Sequence, residues 1–238
     1  MVTKDSLAQY HKWYNWASGL WKDKDRPDYE ADVWYNNYRN RLALDMIGYK
    51  FKDQEVLLLG STLWVDGALI HQLPHKRALR TDILEVPEVD QVVDVTGMPF
   101  PDKSWDAIIA REVIEHLDEP FRMMNEVSRV IRPGGFLFIT TTNSFNCLPD
   151  GELHKGFISP KQFENLMKLY GFSIVDKRGN VPNIHDALLG MCRRTRNNEA
   201  ILDEFKELAL RFDRLGQDSY YFGSELLILA KKNQGENK

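Results

Sequence analysis

The sequence predicts an α/β fold: a mostly parallel sheet covered by helices on both faces. Three observations carry that prediction. Apolar runs of strand length recur from Glu55 onward, separated by segments with helical spacing. Several runs, EVLLLG (55–60) and WDAIIA (105–110) among them, are apolar at consecutive positions, the pattern of strands buried on both faces. The block Asp94–Ile139, DVTGMPFPDKSWDAIIAREVIEHLDEPFRMMNEVSRVIRPGGFLFI, sets an acidic strand end, a proline-rich loop, a buried strand, a helix and a glycine-led strand in that order.

The elements follow in chain order. Residues 1–50 differ from the rest, holding four of the six tryptophans (Trp13, Trp16, Trp21, Trp34) and six of the nine tyrosines. Leu7, Tyr10, Tyr14 and Ala17 sit at helical spacing, with Gly19 weakening the helix near its end. Asp28 is placed to cap a second helix to about Tyr49, with Val33, Trp34, Tyr38, Leu42 and Met46 near one face. Such a stripe either packs on the core or forms an aromatic cap over a ligand cleft, and both uses are compatible. Strands are then expected at 55–59, 76–83, 89–95, 105–110 and 135–141, with helices at about 65–72 and 119–131. Ser159-Pro160 opens a further helix as N-cap and first-turn proline, and Gly171 closes it. FSIVDKR is a strand, 184–215 a helical insert with a basic cluster at Arg193, Arg194 and Arg196, and SELLILAKK (224–232) the last strand. The division is a cap over 1–50, an α/β domain over 51–232, and a disordered tail, 233–238.

Composition narrows the function. At 238 residues, 43% hydrophobic and 28% charged, the chain suits one globular domain with insertions. A net charge of −4 argues against coating nucleic acid. Cys147 and Cys192 stand alone without metal-ligand spacing, which points to a reduced, cytoplasmic setting and away from a structural zinc site. No apolar stretch approaches the roughly 20 residues that span a bilayer. No membrane partner is therefore expected.

In an open α/β sheet the ligand lies beyond the carboxyl ends of the strands, beside strand one. Gly60 ends that strand, and Asp82 follows it by 22 residues near the end of strand two. A carboxylate there can accept both ribose hydroxyls of a nucleotide, or it can serve as a turn or helix-cap aspartate. Asp94 ends strand three, before the loop TGMPFPDKSWD, whose prolines fix a turn and whose Phe100 and Trp105 bury against the sheet. Arg132-Pro133-Gly134-Gly135 supplies positive-φ glycines for a turn before strand five.

Taken with strands one and two, this block resembles the central part of the class I S-adenosylmethionine-dependent methyltransferases, in particular the small-molecule group. The resemblance covers about 54–232 and implies a Rossmann-like, seven-stranded, mostly parallel sheet with helices on both faces plus an N-terminal helical cap. It places the last strand antiparallel beside the fifth. It makes S-adenosyl-L-methionine the cofactor and S-adenosyl-L-homocysteine the product, with a small-molecule substrate as the partner. Asp82 would then hold the ribose. Asp94 would accept from the adenine amino group, the Val95 N–H would meet a ring nitrogen, and Ile83 and Met98 would flank the base. Gly60, Thr62 and the backbone near Ala110–Arg111 would hold the methionine end. The family loop after strand one is acidic-GxGxG; here Leu58 stands for the acid, only Gly60 survives, and Thr62 and Trp64 replace later glycines. That departure leaves a second possibility, a catalytically inactive methyltransferase-like binding or scaffold protein.

Glu112, Glu115 and His116 follow strand four, and in a helical turn they would share one face at the ligand edge. His116 suits a general base, removing an acceptor proton near neutral pH, with Glu112 beside it. The trio also resembles that of metal-dependent O-methyltransferases acting on RNA 3′ ends and ubiquinone precursors; His154 or Glu152 would complete a divalent-metal site, which is not the favoured alternative. A third use is purely structural. Arg111, Arg193, Arg194 and Arg196 suit an anionic substrate or a solvated helix face. The expected activity is methyl transfer to a small molecule, at a hydroxyl oxygen of a sugar, phenol or similar group.

Overall fold

The structure is a computed structural model and describes residues 4–25, 29–61, 64–144, 158–180, 199–221 and 223–234. Helices α1 (Lys4–Lys22) and α2 (Tyr29–Ile47) precede the sheet. Then come β1 (Glu55–Leu59), α3 (Trp64–Gln72), β2 (Arg77–Asp82), β3 (Gln91–Val92), β4 (Trp105–Arg111), α4 (Pro120–Val130) and β5 (Ile131–Thr142). The chain continues with α5 (Pro160–Leu169), β6 (Phe172–Gly179), α6 (Glu199–Asp213) and β7 (Glu225–Lys232). The seven strands lie in the order β3-β2-β1-β4-β5-β7-β6. Strands β1 to β5 pair in parallel, while β7 runs antiparallel to both β5 and β6. The resemblance implied this arrangement, including the antiparallel last strand beside the fifth.

The consecutive apolar positions explain the layering. Leu57, Leu59, Ile108, Ala110, Leu137 and Ile139 join one buried cluster with Met123, Val127, Phe163 and Met167 of α4 and α5. Val56, Leu58, Ala107, Ile109 and Phe138 point the other way, onto Tyr38, Leu42 and Met46 of α2 and Leu69 of α3. With side chains alternating along each strand, both halves of an apolar run are buried only if both faces are covered. The apolar stripe of α2 is thus core, whereas α1 lies on the loops at the carboxyl edge through Tyr10 and Tyr14.

The strand at 89–95 and the RPGG turn need correction. The strand expected over 89–95 is ordered as β3 only at Gln91–Val92, both exposed at the sheet edge; beyond it Asp94 turns the chain by accepting from the Thr96 N–H at 2.9 Å. The RPGG turn is part of β5, and of its two glycines only Gly134 has positive φ. Gly135 is required instead by close approach, since a Cβ there would lie 2.6 Å from the Asp106 carbonyl oxygen. Gly19 lies in the last turn of α1, near its end at Lys22. The cap at Ser159 is a capping box: Ser159 Oγ accepts from the Gln162 N–H, and Gln162 Oε1 accepts from the Ser159 N–H at 3.0 Å.

The proline-rich loop before β4 is tied from α4. Arg129 donates to the carbonyls of Met98 at 3.0 Å and Phe100 at 2.7 Å, and Phe100 meets buried Trp105 edge-on. Asn233, in the stretch expected to be a disordered tail, donates its N–H to the Gly171 carbonyl at 3.0 Å. The first half of the expected insert, with Arg193, Arg194 and Arg196, lies outside the described residues, as do Cys147, Cys192, Glu152, His154 and the capping Asp28. The side chains of Trp13, Trp16, Ala17 and Trp21 lie outside them too. No helix among the described residues is long and apolar enough to cross a membrane.

Candidate functional site

The strand order reverses direction between β1 and β4, so their carboxyl ends open a crevice there. Gly60 leaves β1 with φ +69°, and a Cβ on it would lie 2.4 Å from Val113 Cγ2. Its missing side chain therefore makes room for Val113, from the loop after β4. Ser61 is fixed by its N–H on the Thr81 carbonyl at 2.9 Å, while its buried hydroxyl has no hydrogen-bond partner among the described residues. Thr62 and the side chain of Trp64 lie outside the described residues.

On the β2 side, Asp82 is buried at the end of its strand, and its Oδ1 accepts from the Leu84 N–H at 2.8 Å. Ile83 beside it is half-buried. Asp94 is half-buried, and its Oδ1 takes both the N–H and the hydroxyl of Thr96, at 2.9 and 2.6 Å. Val95 and Met98 are buried in the cluster beneath. Each aspartate spends one oxygen on a residue two positions away, an Asx-type turn that aims its carboxylate. The turn use of these acids is thus compatible with a ligand use.

The loop after β4 departs from expectation. Glu112 has φ +53°, and the following turn, a single 3-10 turn, spans only Ile114–His116. Glu112 is therefore not on a helical face with Glu115 and His116. Its carboxylate is held by Thr140 Oγ1 at 2.8 Å and Thr142 Oγ1 at 3.4 Å. Glu115 is buried and receives Thr141 Oγ1 at 3.2 Å and Thr142 Oγ1 at 3.3 Å. His116 meets α1 instead: its ring lies edge-on to Tyr10 at 6.4 Å, and its carbonyl accepts from the Tyr10 hydroxyl at 2.8 Å. Among the described residues no three His, Cys, Asp or Glu side chains are grouped to hold a metal. Arg111 is likewise neither on a helix nor solvated. It ends β4, is buried, and donates to Asn40 Oδ1 at 2.8 Å.

Sequence reasoning missed the groups around Glu112. Arg39 of α2 clasps Glu225 at the start of β7 with a two-pronged fork, Nε to Oε2 at 2.9 Å and Nη2 to Oε1 at 2.7 Å. The same Nη2 lies 3.8 Å from Glu112 Oε1. Asn180, after β6, donates to Glu225 Oε2 and also to the Tyr35 hydroxyl at 2.9 Å. Burial, then the charges of Glu115 and Glu225, push the Glu112 carboxyl well above the usual carboxylate range. Burial would also raise Glu225, but the charge and fork of Arg39 outweigh it, and the net direction is down. The Glu112 side chain is 30% accessible, and Glu225 is 7% accessible. The only sequence signals were a charge inside an aromatic stripe at Arg39 and an acid opening an apolar strand at Glu225.

Comparison with known proteins finds similarity to methyltransferases. Residues 73–139 match the methyltransferase domain family Methyltransf_11. A probable S-adenosylmethionine-dependent methyltransferase of Mycolicibacterium smegmatis is 30% identical over 165 residues, covering 63% of each chain. A mitochondrial ubiquinone biosynthesis O-methyltransferase of Dictyostelium discoideum is 33% identical over 98 residues, 34% of this chain and 30% of that one. The chain thus spans less than two thirds of the length of either curated relative. Among solved structures, a Burkholderia thailandensis 1,6-didemethyltoxoflavin-N1-methyltransferase, with 1,6-didemethyltoxoflavin and S-adenosylhomocysteine bound, superposes with a TM-score of 0.57. It is 16% identical, and the match covers 98% of this chain and 92% of that one.

Proposed function

We propose, since the chain belongs to the class I S-adenosylmethionine-dependent methyltransferase superfamily, that it transfers a methyl group to a small-molecule acceptor at a hydroxyl oxygen. The observation that carries this reading is the pair of oriented acids, Asp82 and Asp94, at the carboxyl ends beside the switch point. Asp82 would take the ribose hydroxyls, and Asp94 with the Val95 N–H the adenine edge, between Ile83 and Met98. Ser61 Oγ, buried without a partner among the described residues, fits a polar ligand at the same edge. Gly60, Thr62 and the backbone at Arg111 would hold the methionine end. The cofactor, when bound, supplies an electrophilic methyl on a sulfonium, so the protein's part is alignment and acceptance of a proton. His116 and Glu112 are the candidates for that proton. A cytoplasmic setting belongs to the same proposal and rests on the lone cysteines.

A specific observation favours the second reading, a binding or scaffold protein. Leu58 replaces the family's acid, and Val113 fills the open side of Gly60. Fold alone does not fix activity. Calorimetric titration with S-adenosylmethionine and S-adenosylhomocysteine separates the two: binding of both supports the transferase, and no binding at millimolar ligand sinks it. Turnover that survives EDTA unchanged would remove the divalent-metal alternative.

A further inference from the structure

We propose that α1 is a strap across the mouth of the crevice, fastened on each side by one tyrosine hydroxyl, and that the cofactor enters and leaves only when the strap lets go. The identity of that ligand rests on the methyltransferase reading; the strap itself rests on where its two fastenings lie. The Tyr10 hydroxyl donates to the His116 carbonyl at 2.8 Å, in the loop after β4. The Tyr14 hydroxyl donates to Glu88 Oε2 at 2.8 Å, in the loop between β2 and β3. In the sheet β1 stands between β2 and β4, so the two anchor loops flank its carboxyl end, where Gly60 turns the chain. Residues four apart share one face of a helix, so a single turn of α1 bridges both loops over that end.

The Tyr10 ring lies edge-on to the His116 imidazole, with centroids 6.4 Å apart, and the charges of Asp118 and Asp82 act on its hydroxyl. A nucleoside held by Asp82 would therefore lie beneath α1, and a helix at that place closes its path to solvent. The strap is also lightly held. Among the described side chains none from α1 joins either buried cluster, whereas α2 contributes Tyr35, Tyr38, Leu42 and Met46 to one of them. An element fixed by polar contacts, with little apolar surface buried, opens at a lower free energy than the core. A hydroxyl bonded to a carbonyl or carboxylate within reach of water adds little net stability, so each fastening can break without unfolding the sheet.

The test is stopped-flow binding of S-adenosylhomocysteine to the full chain, followed by tryptophan fluorescence, with association and dissociation rates measured separately. A strap fastened alike with and without ligand gates both rates by the same factor. Tyr10→Phe combined with Tyr14→Phe should therefore raise both rates about tenfold, the worth of two such hydrogen bonds, and leave Kd within about twofold. Glu88→Ala should match Tyr14→Phe alone, and combining those two should add nothing further. Unchanged rates in the double tyrosine variant would overturn the proposal. So would faster dissociation with unchanged association, the mark of tyrosines that touch the ligand instead of gating it. Hydrogen exchange on the ligand-free chain needs no cofactor: α1 amides should exchange about tenfold faster in the double variant while those of α2 do not change. Equal protection of α1 in both chains sinks the strap. If α1 responds in this way but S-adenosylhomocysteine does not bind, the transferase reading fails and the fastenings stand. If it binds and neither the rates nor the exchange respond, only this inference fails.

Discussion

The two sides of the crevice are built on different principles. On the proposed nucleoside side, Asp82 and Asp94 are held by backbone and hydroxyl groups two residues away, and the neighbouring β3 is short and exposed. On the proposed acceptor side, Arg39, Glu112, Asn180 and Glu225 come from four distant stretches, with Arg39 and Glu225 separated by 186 positions. The first side needs only a strand end and a turn to exist. The second exists only when α2, β4, β5 and β7 are all in place, and its charges are bound to fold stability. A local turn aims a ligand-binding group at little cost, whereas a buried ion array holds a protonation state that no exposed group can keep.

That contrast is breakable. Arg39→Met should be the most damaging change, destabilising the fold by about 3–5 kcal/mol because it leaves Glu225 as an uncompensated buried charge. A urea midpoint close to wild type would show that the acceptor side does not depend on its ion pair. Asp82→Ala should leave that midpoint nearly unchanged yet weaken S-adenosylmethionine by roughly 10- to 100-fold, the worth of about 1.5–3 kcal/mol of hydrogen bonding to a charged group. His116→Ala should instead lower turnover, and equal affinity losses for the two variants would reject this division of roles. Gly60→Ala, between the two sides, should cost about 1–3 kcal/mol in thermal or urea unfolding, since its backbone is left-handed and Val113 fills the space.

The smallest effect is the most diagnostic. Glu112 has a folded-state pKa above its ordinary value near 4.5, so the stability it contributes is full below that value. The contribution is lost as pH rises through the folded-state pKa, because the buried side chain must then ionise. Glu112→Gln removes that loss. Its melting temperature should therefore match wild type near pH 4 and exceed it at pH 8. A difference that does not grow with pH would remove the protonated Glu112 from the account of this side.

What could be read in advance follows the same division. The turns at Asp82 and Asp94 and the N-cap at Ser159 are legible because each works through neighbours in the chain. Glu112, Glu115 and His116 were found as residues but misplaced as a group. Helical spacing was assumed for them, and the left-handed φ at Glu112 sends that side chain to β5 while His116 faces α1. Arg111 was read as solvated because nothing near it in sequence suggests Asn40 as its partner.

The sequence by itself determined the strands, the helices and the two-sided burial of the sheet, because apolar periodicity is a local property and only one layering satisfies it. It also set the oriented acids of the nucleoside side. The tertiary structure alone decided that Arg39 meets Glu225, that Glu112 lies accessible above them, and that Val113 takes the space beside Gly60. Those contacts join residues far apart in the chain, and their charge states follow from burial, a quantity that exists only once the layers have closed.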